Sequence, residues 1–496
     1  MKETKKFYVT TSIAYVNAPP HIGYAMELLQ ADVLARYHRL LGEEVFFLTG
    51  TDEHGKKIAE AAAKAGMETQ TYVDSVSAQF GVLCRKLEIK YDNFIRTTSK
   101  EHRAYVQHVW KHMEERGDIY KAMYEGRYCI GCEAFLREAE MDNGVCHIHK
   151  KETQAVHEEN YFFRFSKYAA QIEQAIREDT IRILPEFRKK EILNYFSDEG
   201  IKDFSVSRPK ESVGWGIPVP GDESQIIYVW IDALMNYLSG IDLEESKMTN
   251  IWPADVHVIG KDIMRFHTMM LPAFLKSLDY KFPRSIAIHG FILAEGQKMS
   301  KSLGNVIDPI AVIAEHGVEP VRYYLLREIP SDGDGDFSFA RFKERYTADL
   351  QNGLGNLISR VSVLGVGNSE AVKDITVSGI KVREQDIYKE YVSAIDAFQL
   401  HRALEHVWVL VEQSNKIVEE TRLWELAAHD IQKANEVFAK LALTFASIAY
   451  MLAPFLPETA EKIAVAIGTD IAALSGDSDI PVRFQKPATS LFPKLL

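Results

Sequence analysis

Cys129, Cys132, Cys146 and His149 follow a C-x2-C-x13-C-x2-H pattern. Two ligand pairs on short turns suit tetrahedral zinc with no open coordination position, so such a site holds structure rather than doing chemistry. His147 competes as fourth ligand, but the x2 spacing favours His149. Cys84 stands apart as a packed thiol. A second chemistry lies in two separated segments, His21-Ile22-Gly23-Tyr24 and Lys298-Met299-Ser300-Lys301-Ser302. A His and a Gly at the entry to a helix suit an anion held against free backbone N–H groups. His21 can donate to a phosphate, and Gly23 lets a ligand approach the backbone. Two lysines and two hydroxyls between Gly296 and Gly304 suit a mobile flap that closes on a triphosphate and stabilises the leaving pyrophosphate. Alone, the first segment reads equally well as an ordinary turn before a helix, while the second is more specific, its plain alternative being a solvated basic loop.

These groups need elements to position them. Phe7 to Thr11 reads as a buried strand, Met26 to Leu41 as a helix ended by Gly42, and Val45 to Leu48 as the next strand. Thr51-Asp52-Glu53-His54-Gly55 then precedes an alanine-rich helix from Lys56 to Lys64. This alternation implies a parallel α/β sheet with ligands beyond the carboxyl ends of its strands. Strands are expected again at Ile226–Trp230, Val256–Ile259 and Ser285–Ile288, with residues 117–222 inserted between the halves. From about Phe342 onward the periodicity is helical. Asn352, Asn356 and Arg360, at i, i+4 and i+8, fall on one helix face.

The two-part signature resembles that of class I aminoacyl-tRNA synthetases. Tyr15-Val16-Asn17-Ala18-Pro19-Pro20-His21-Ile22-Gly23, Phe46 to Gly55 and Ile259-Gly260-Lys261-Asp262-Ile263 narrow the resemblance to the methionyl-tRNA synthetase family. It covers nearly the whole chain. The resemblance implies ATP-dependent activation of L-methionine to methionyl-adenylate, with Mg2+ accompanying ATP, and transfer to the 3′ end of methionine tRNA, initiator and elongator. His21, Lys298 and Lys301 would stabilise the α-phosphate and the departing pyrophosphate. Gly23, Tyr24, Gly260 and Asp262 complete the expected ATP site. Ile13, Tyr15, Asp52, Trp230, Ala233, Tyr237, Ile263 and His267 form the expected methionine site. There Asp52 binds the α-ammonium, and Tyr15 O–H or His267 N–H meets the sulfur. Without the resemblance, Trp230, Tyr237 and Ile263 read as ordinary core. The resemblance also assigns Asn356, Arg360 and Trp424 to a CAU anticodon, and Zn2+ to the cysteine knuckle.

The expected divisions are a Rossmann-like catalytic first half (1–116), a connective insertion bearing the zinc knuckle (117–222) and the catalytic second half (223–290). A loop and stem-contact region (291–350) and an α-helical anticodon-binding bundle (351–496) follow. The insertion is too small for the hydrolytic editing domain of the isoleucine, valine and leucine enzymes. Ser12, Ala14, Leu271, Leu423 and Tyr24 depart from the family pattern. Tyr24, in place of a second His, opens an alternative: a tRNA-binding paralogue with weakened adenylation.

The net charge of −12 over 496 residues excludes indiscriminate nucleic-acid binding. It leaves room for a local basic cluster such as Arg182, Arg188, Lys189 and Lys190. The start lacks a signal-peptide core, and Val437–Leu456 reads as a buried bundle helix rather than a membrane span. A cytoplasmic, soluble monomer without membrane contact is expected.

Overall fold

The computed structural model describes residues 5–132, 134–136, 138–148, 150–197, 201–241, 251–299 and 304–494. Among them, seven strands form one parallel sheet. Its main members are β1 (Lys6–Thr11), β2 (Glu44–Asp52), β3 (Asn93–Arg96), β4 (Arg182–Leu184), β5 (Val256–Gly260) and β6 (Ser285–His289). Their spatial order is β4-β6-β5-β1-β2-β3, with Ala14–Tyr15 pairing the end of β2. The direction of winding reverses between β1 and β5. Both carboxyl ends open there into a crevice, where ligands bind in such sheets.

Alternation along β1 separates two cores: Phe7 and Val9 face one, Tyr8 the other. The first core contains helix α1 (Ile22–Leu40) and continues into the C-terminal helices. α1 is buried on nearly every face because it packs on β1, β2 and β5 and against helix Val318–Arg327. It begins four residues before the Met26 expected from periodicity, because His21 supplies the N-cap. The second core is closed by residues between β3 and β5, including a four-stranded antiparallel sheet built on the long pair Ile119–Cys129 and Gln154–Phe163.

Two expectations are corrected. Ile226–Trp230 is not a strand of the parallel sheet. Asp222–Ile227 is the middle strand of a separate antiparallel trio, and the chain then turns into helix α2 (Val229–Leu234). The apolar run could not distinguish a short buried helix from a strand. β4 arises inside 117–222 and pairs in parallel with β6, so the chain re-enters the sheet before residue 222. Asn352 lies in a π-helical stretch, Tyr346–Gly355, ahead of helix α3 (Asn356–Gly367). Asn352 and Asn356 are both exposed. Asn415 Nδ2 donates to the Gly353 carbonyl at 3.2 Å within that stretch. Residues 431–452 form the buried bundle helix expected around Val437–Leu456.

Candidate active site

The crevice at the reversal point is a cavity of about 610 Å³. Ile13 and Tyr15 line it just after β1, Asp52 from the last position of β2, and Gly260 and Asp262 from the end of β5. Trp230 and Ala233 reach it from α2, Tyr237 from the next turn, and Ile263 and His267 from the segment after β5. His21, Gly23 and Tyr24 line it at the start of α1. Every expected ATP and methionine residue outside the lysine loop therefore borders one cavity.

His21 Nδ1 accepts from the Gly23 N–H at 3.1 Å, which places the proton of the neutral ring on Nε2. Burial lowers the His21 pKa, against the opposing field of Asp262, so the neutral ring is favoured. The ring lies so close over Gly23 that a Cβ there would meet it at 3.0 Å. The Tyr24 hydroxyl is bonded to Thr49 Oγ1 at 3.1 Å and to the Gly50 carbonyl at 3.4 Å. Its ring is 9% exposed and stands edge-on to Phe80. Tyr24 thus fills space between α1 and β2, with its polar atom turned into the sheet.

His267 Nδ1 lies 3.0 Å from the Ile263 carbonyl, which can only accept, so Nδ1 carries the proton. Burial drives its pKa down to about 4 and keeps the ring neutral. Nε2 therefore accepts from the Tyr237 hydroxyl at 2.7 Å. The expected His267 N–H for a sulfur is committed to the backbone, which corrects that part of the sequence reading. Trp230 stacks on Phe266 with centroids 3.7 Å apart and planes 8° apart.

Sequence reasoning missed the pair beneath the cavity, Glu27 and His289. Glu27 accepts from Ser12 Oγ at 2.6 Å and from His289 Nε2 at 2.9 Å, while His289 Nδ1 donates to the Gly290 carbonyl at 2.8 Å. Both ring nitrogens face acceptors, which favours the imidazolium. Burial opposes that charge, but Glu27 offsets it and raises the pKa. The available signal was a His-Gly step at the carboxyl end of an expected strand. Ser12, a departure from the family pattern, has a defined part in this network.

Among the loop residues, Lys298 is described only in its backbone, which pairs with Leu293, and Met299 lines the cavity. Ser300, Lys301 and Ser302 lie outside the described residues. Gly296 and Gly304, on either side, have φ of +75° and +65°, a region that favours glycine.

The sulfur atoms of Cys129, Cys132 and Cys146 lie within 4.8 Å of one another, and those of Cys132 and Cys146 are 3.6 Å apart. About 3.8 Å is the sulfur separation that tetrahedral zinc thiolates at ~2.3 Å require, so the donor set fits zinc. His149 lies outside the described residues, while His147 Nε2 is 3.1 Å from Asp142. Gly131, Cys132 and Ile148 border the cavity, and Lys57 Nζ donates to the Gly131 carbonyl, so the knuckle overhangs the site. Cys84 is buried far along the chain, its thiol pushed up to about 12 by burial.

In the helical region the Arg360 guanidinium sits 5.9 Å from the Trp424 ring centroid and 2.7 Å from Glu419. Trp424 is 42% exposed, and Asn356 is exposed one turn before Arg360. Two members of the basic cluster suggested by sequence are ion-paired: Arg188 with Glu191, and Lys189 with Asp179, each at 2.7 Å.

The family model described as tRNA synthetases class I (M) matches residues 7–143 and 132–362. The methionine–tRNA ligase of Clostridium acetobutylicum is 41% identical, the match covering 95% of this chain and 74% of that protein. That of Listeria innocua is 38% identical, over 100% of this chain and 79% of that protein. The Mycobacterium tuberculosis methionyl-tRNA synthetase in complex with methionyl-adenylate superposes with a TM-score of 0.88 at 35% identity, covering 99% of this chain and 100% of that one. The free-state structure of the same enzyme gives a TM-score of 0.81 at 32% identity, over 99% and 98%.

Proposed function

The chain belongs to the class I tRNA synthetases specific for methionine, and from that premise we propose how its own residues carry out the reaction. The function is that of a methionine–tRNA ligase, which joins L-methionine to tRNA at the expense of ATP. A methionine carboxylate oxygen attacks the α-phosphorus of MgATP, the bond to the bridging oxygen breaks, and pyrophosphate leaves. The terminal hydroxyl of the tRNA then attacks the carbonyl, and AMP leaves. The nucleophile belongs to the substrate, so the protein contributes position and charge.

In this reading Asp52 binds the α-ammonium, and Trp230, Ala233, Ile13, Tyr15 and Ile263 enclose the thioether. Tyr237, bonded to His267, fixes the inner wall. His21 turns its Nε2–H toward the phosphates, and Lys298 and Lys301 neutralise the leaving pyrophosphate. Gly23, Gly260 and Asp262 hold the adenosine, above the Glu27–His289 pair. Cys129, Cys132, Cys146 and His149 would hold Zn2+, which when bound fastens the knuckle without entering the reaction. Asn356, Arg360 and Trp424 would read the anticodon of initiator and elongator methionine tRNA, by base-edge hydrogen bonds and stacking. The divisions at 116, 222, 290 and 350 are proposed as the working domain limits, with Arg182–Leu184 counted in the catalytic sheet although it lies within 117–222, and the chain is proposed to act as a cytoplasmic monomer. No helix among the described residues is long and apolar enough to cross a membrane.

The observation that carries the ATP and methionine assignments outside the lysine loop is the gathering of those side chains around one cavity at the sheet's reversal point. The paralogue alternative finds no support among the relatives, and the Tyr24 hydroxyl is already engaged by the sheet. Methionine-dependent ATP–pyrophosphate exchange tests the reading. The native chain should exchange robustly, Lys301→Ala should lose roughly a hundred-fold or more, and Tyr24→His should stay within a few-fold. No exchange by the native chain, with activity appearing in Tyr24→His, would restore the paralogue.

A further inference from the structure

Behind the cavity wall, Asp232 lies between two histidines. His54 Nδ1 is 2.7 Å from one carboxylate oxygen and His102 Nε2 is 2.8 Å from the other. The second nitrogen of His102 lies 2.7 Å from Ser239 Oγ. Asp232 is 1% exposed, His54 3% and His102 1%. None of the three borders the cavity. Burial alone would raise the Asp232 pKa, but His54 and His102 more than offset it and hold the carboxylate ionised.

This network joins the two halves of the expected amino-acid site. His54 follows Asp52 by two positions, in a segment pinned on every side. Arg96 grips the Glu53 carboxylate at 2.7 and 2.9 Å, the Trp215 indole donates to the Glu53 carbonyl at 2.7 Å, and the Gly55 N–H donates to the Trp215 carbonyl at 3.0 Å. Asp232 sits on α2 between Trp230 and Ala233, which do border the cavity. At ~100° per residue, rotating α2 about its axis would swing both out of place. An apolar contact tolerates such a rotation. Two charge-assisted hydrogen bonds on opposite oxygens do not, because their strength depends on distance and direction. A buried carboxylate is a costly anchor, and fixing geometry is a recognised use for one.

We propose that Asp232, held by His54 and His102, is a positioning residue that sets Trp230 and Ala233 against Asp52 and so determines methionine recognition. The proposal rests on the assignment of Trp230 to the methionine pocket. The Michaelis constants for methionine and ATP in pyrophosphate exchange separate the two, with thermal unfolding as a fold control. Trp230→Ala checks the pocket: an unchanged methionine KM there would sink the assignment itself. Asp232→Asn should raise the methionine KM about ten-fold or more, with the ATP KM within two-fold. His54→Asn keeps an N–H where Nδ1 stood and should remain near native, whereas His54→Leu should behave like Asp232→Asn. If Asp232→Asn does not fold, the His54 pair decides. Equal methionine KM values in His54→Asn and His54→Leu would overturn the proposal. So would losses of kcat and unfolding temperature with the methionine KM unmoved, which would mark the network as scaffold only.

Discussion

At the scale of single residues, chemistry depends on which nitrogen holds a proton and where a hydroxyl points. The Ile263 carbonyl fixes the His267 tautomer, which in turn makes Tyr237 the donor of the pair. Tyr237→Phe would leave the buried His267 Nε2 without that donor, at a cost of roughly 1–3 kcal/mol. The methionine KM should rise about ten-fold while the ATP KM stays constant, as exchange kinetics at varied substrate would measure. Residue types at the site were legible from sequence because motif spacing carries them. Their partners were not, since a hydroxyl such as that of Tyr24 can serve either ligand or sheet until its rotamer is known. Only the fold turned it toward Thr49 and Gly50.

At the scale of elements, apolar residues located β1, β2, β5 and β6 as short continuous runs and α1 by its helical period. The same rule failed past Ile227, where the six residues of α2, five of them buried, fit a helix or a strand equally well. Strand pairing sets its own demands. The β2–β3 ladder aligns Gly50 with Ile95, and a Cβ at Gly50 would lie 2.0 Å from the Ile95 carbonyl oxygen. Gly50→Ala must therefore push β3 away or break the ladder, costing roughly 3 kcal/mol or more. Thermal unfolding should register this as a marked drop, accompanied by weaker exchange because Asp52 ends the same strand.

At the scale of the whole molecule, one buried cation ties the catalytic sheet to the C-terminal helices. Arg322, fully buried, donates to Asp32 of α1 at 2.8 Å, to the Leu87 carbonyl at 3.0 Å, and to the Phe455 and Pro454 carbonyls at 2.7 and 3.3 Å. Arg322→Met would strip donors from four acceptors at once, although Asp32 would keep Arg36 and the Lys90 N–H. The expected cost is about 3 kcal/mol, seen as a lower unfolding temperature by calorimetry. By itself the sequence determined the two-part nucleotide signature, the cysteine spacing, the longer strands and helices, and the family, because these are local patterns read within short windows. The tertiary structure alone decided the entry of β4 into the sheet, the Glu27–His289 pair across 262 positions, the His54–Asp232 contact across 178 and the Arg322–Asp32 contact across 290. No local period encodes such pairings. They follow from the order in which strands lie side by side, and that order brings distant side chains within hydrogen-bond reach.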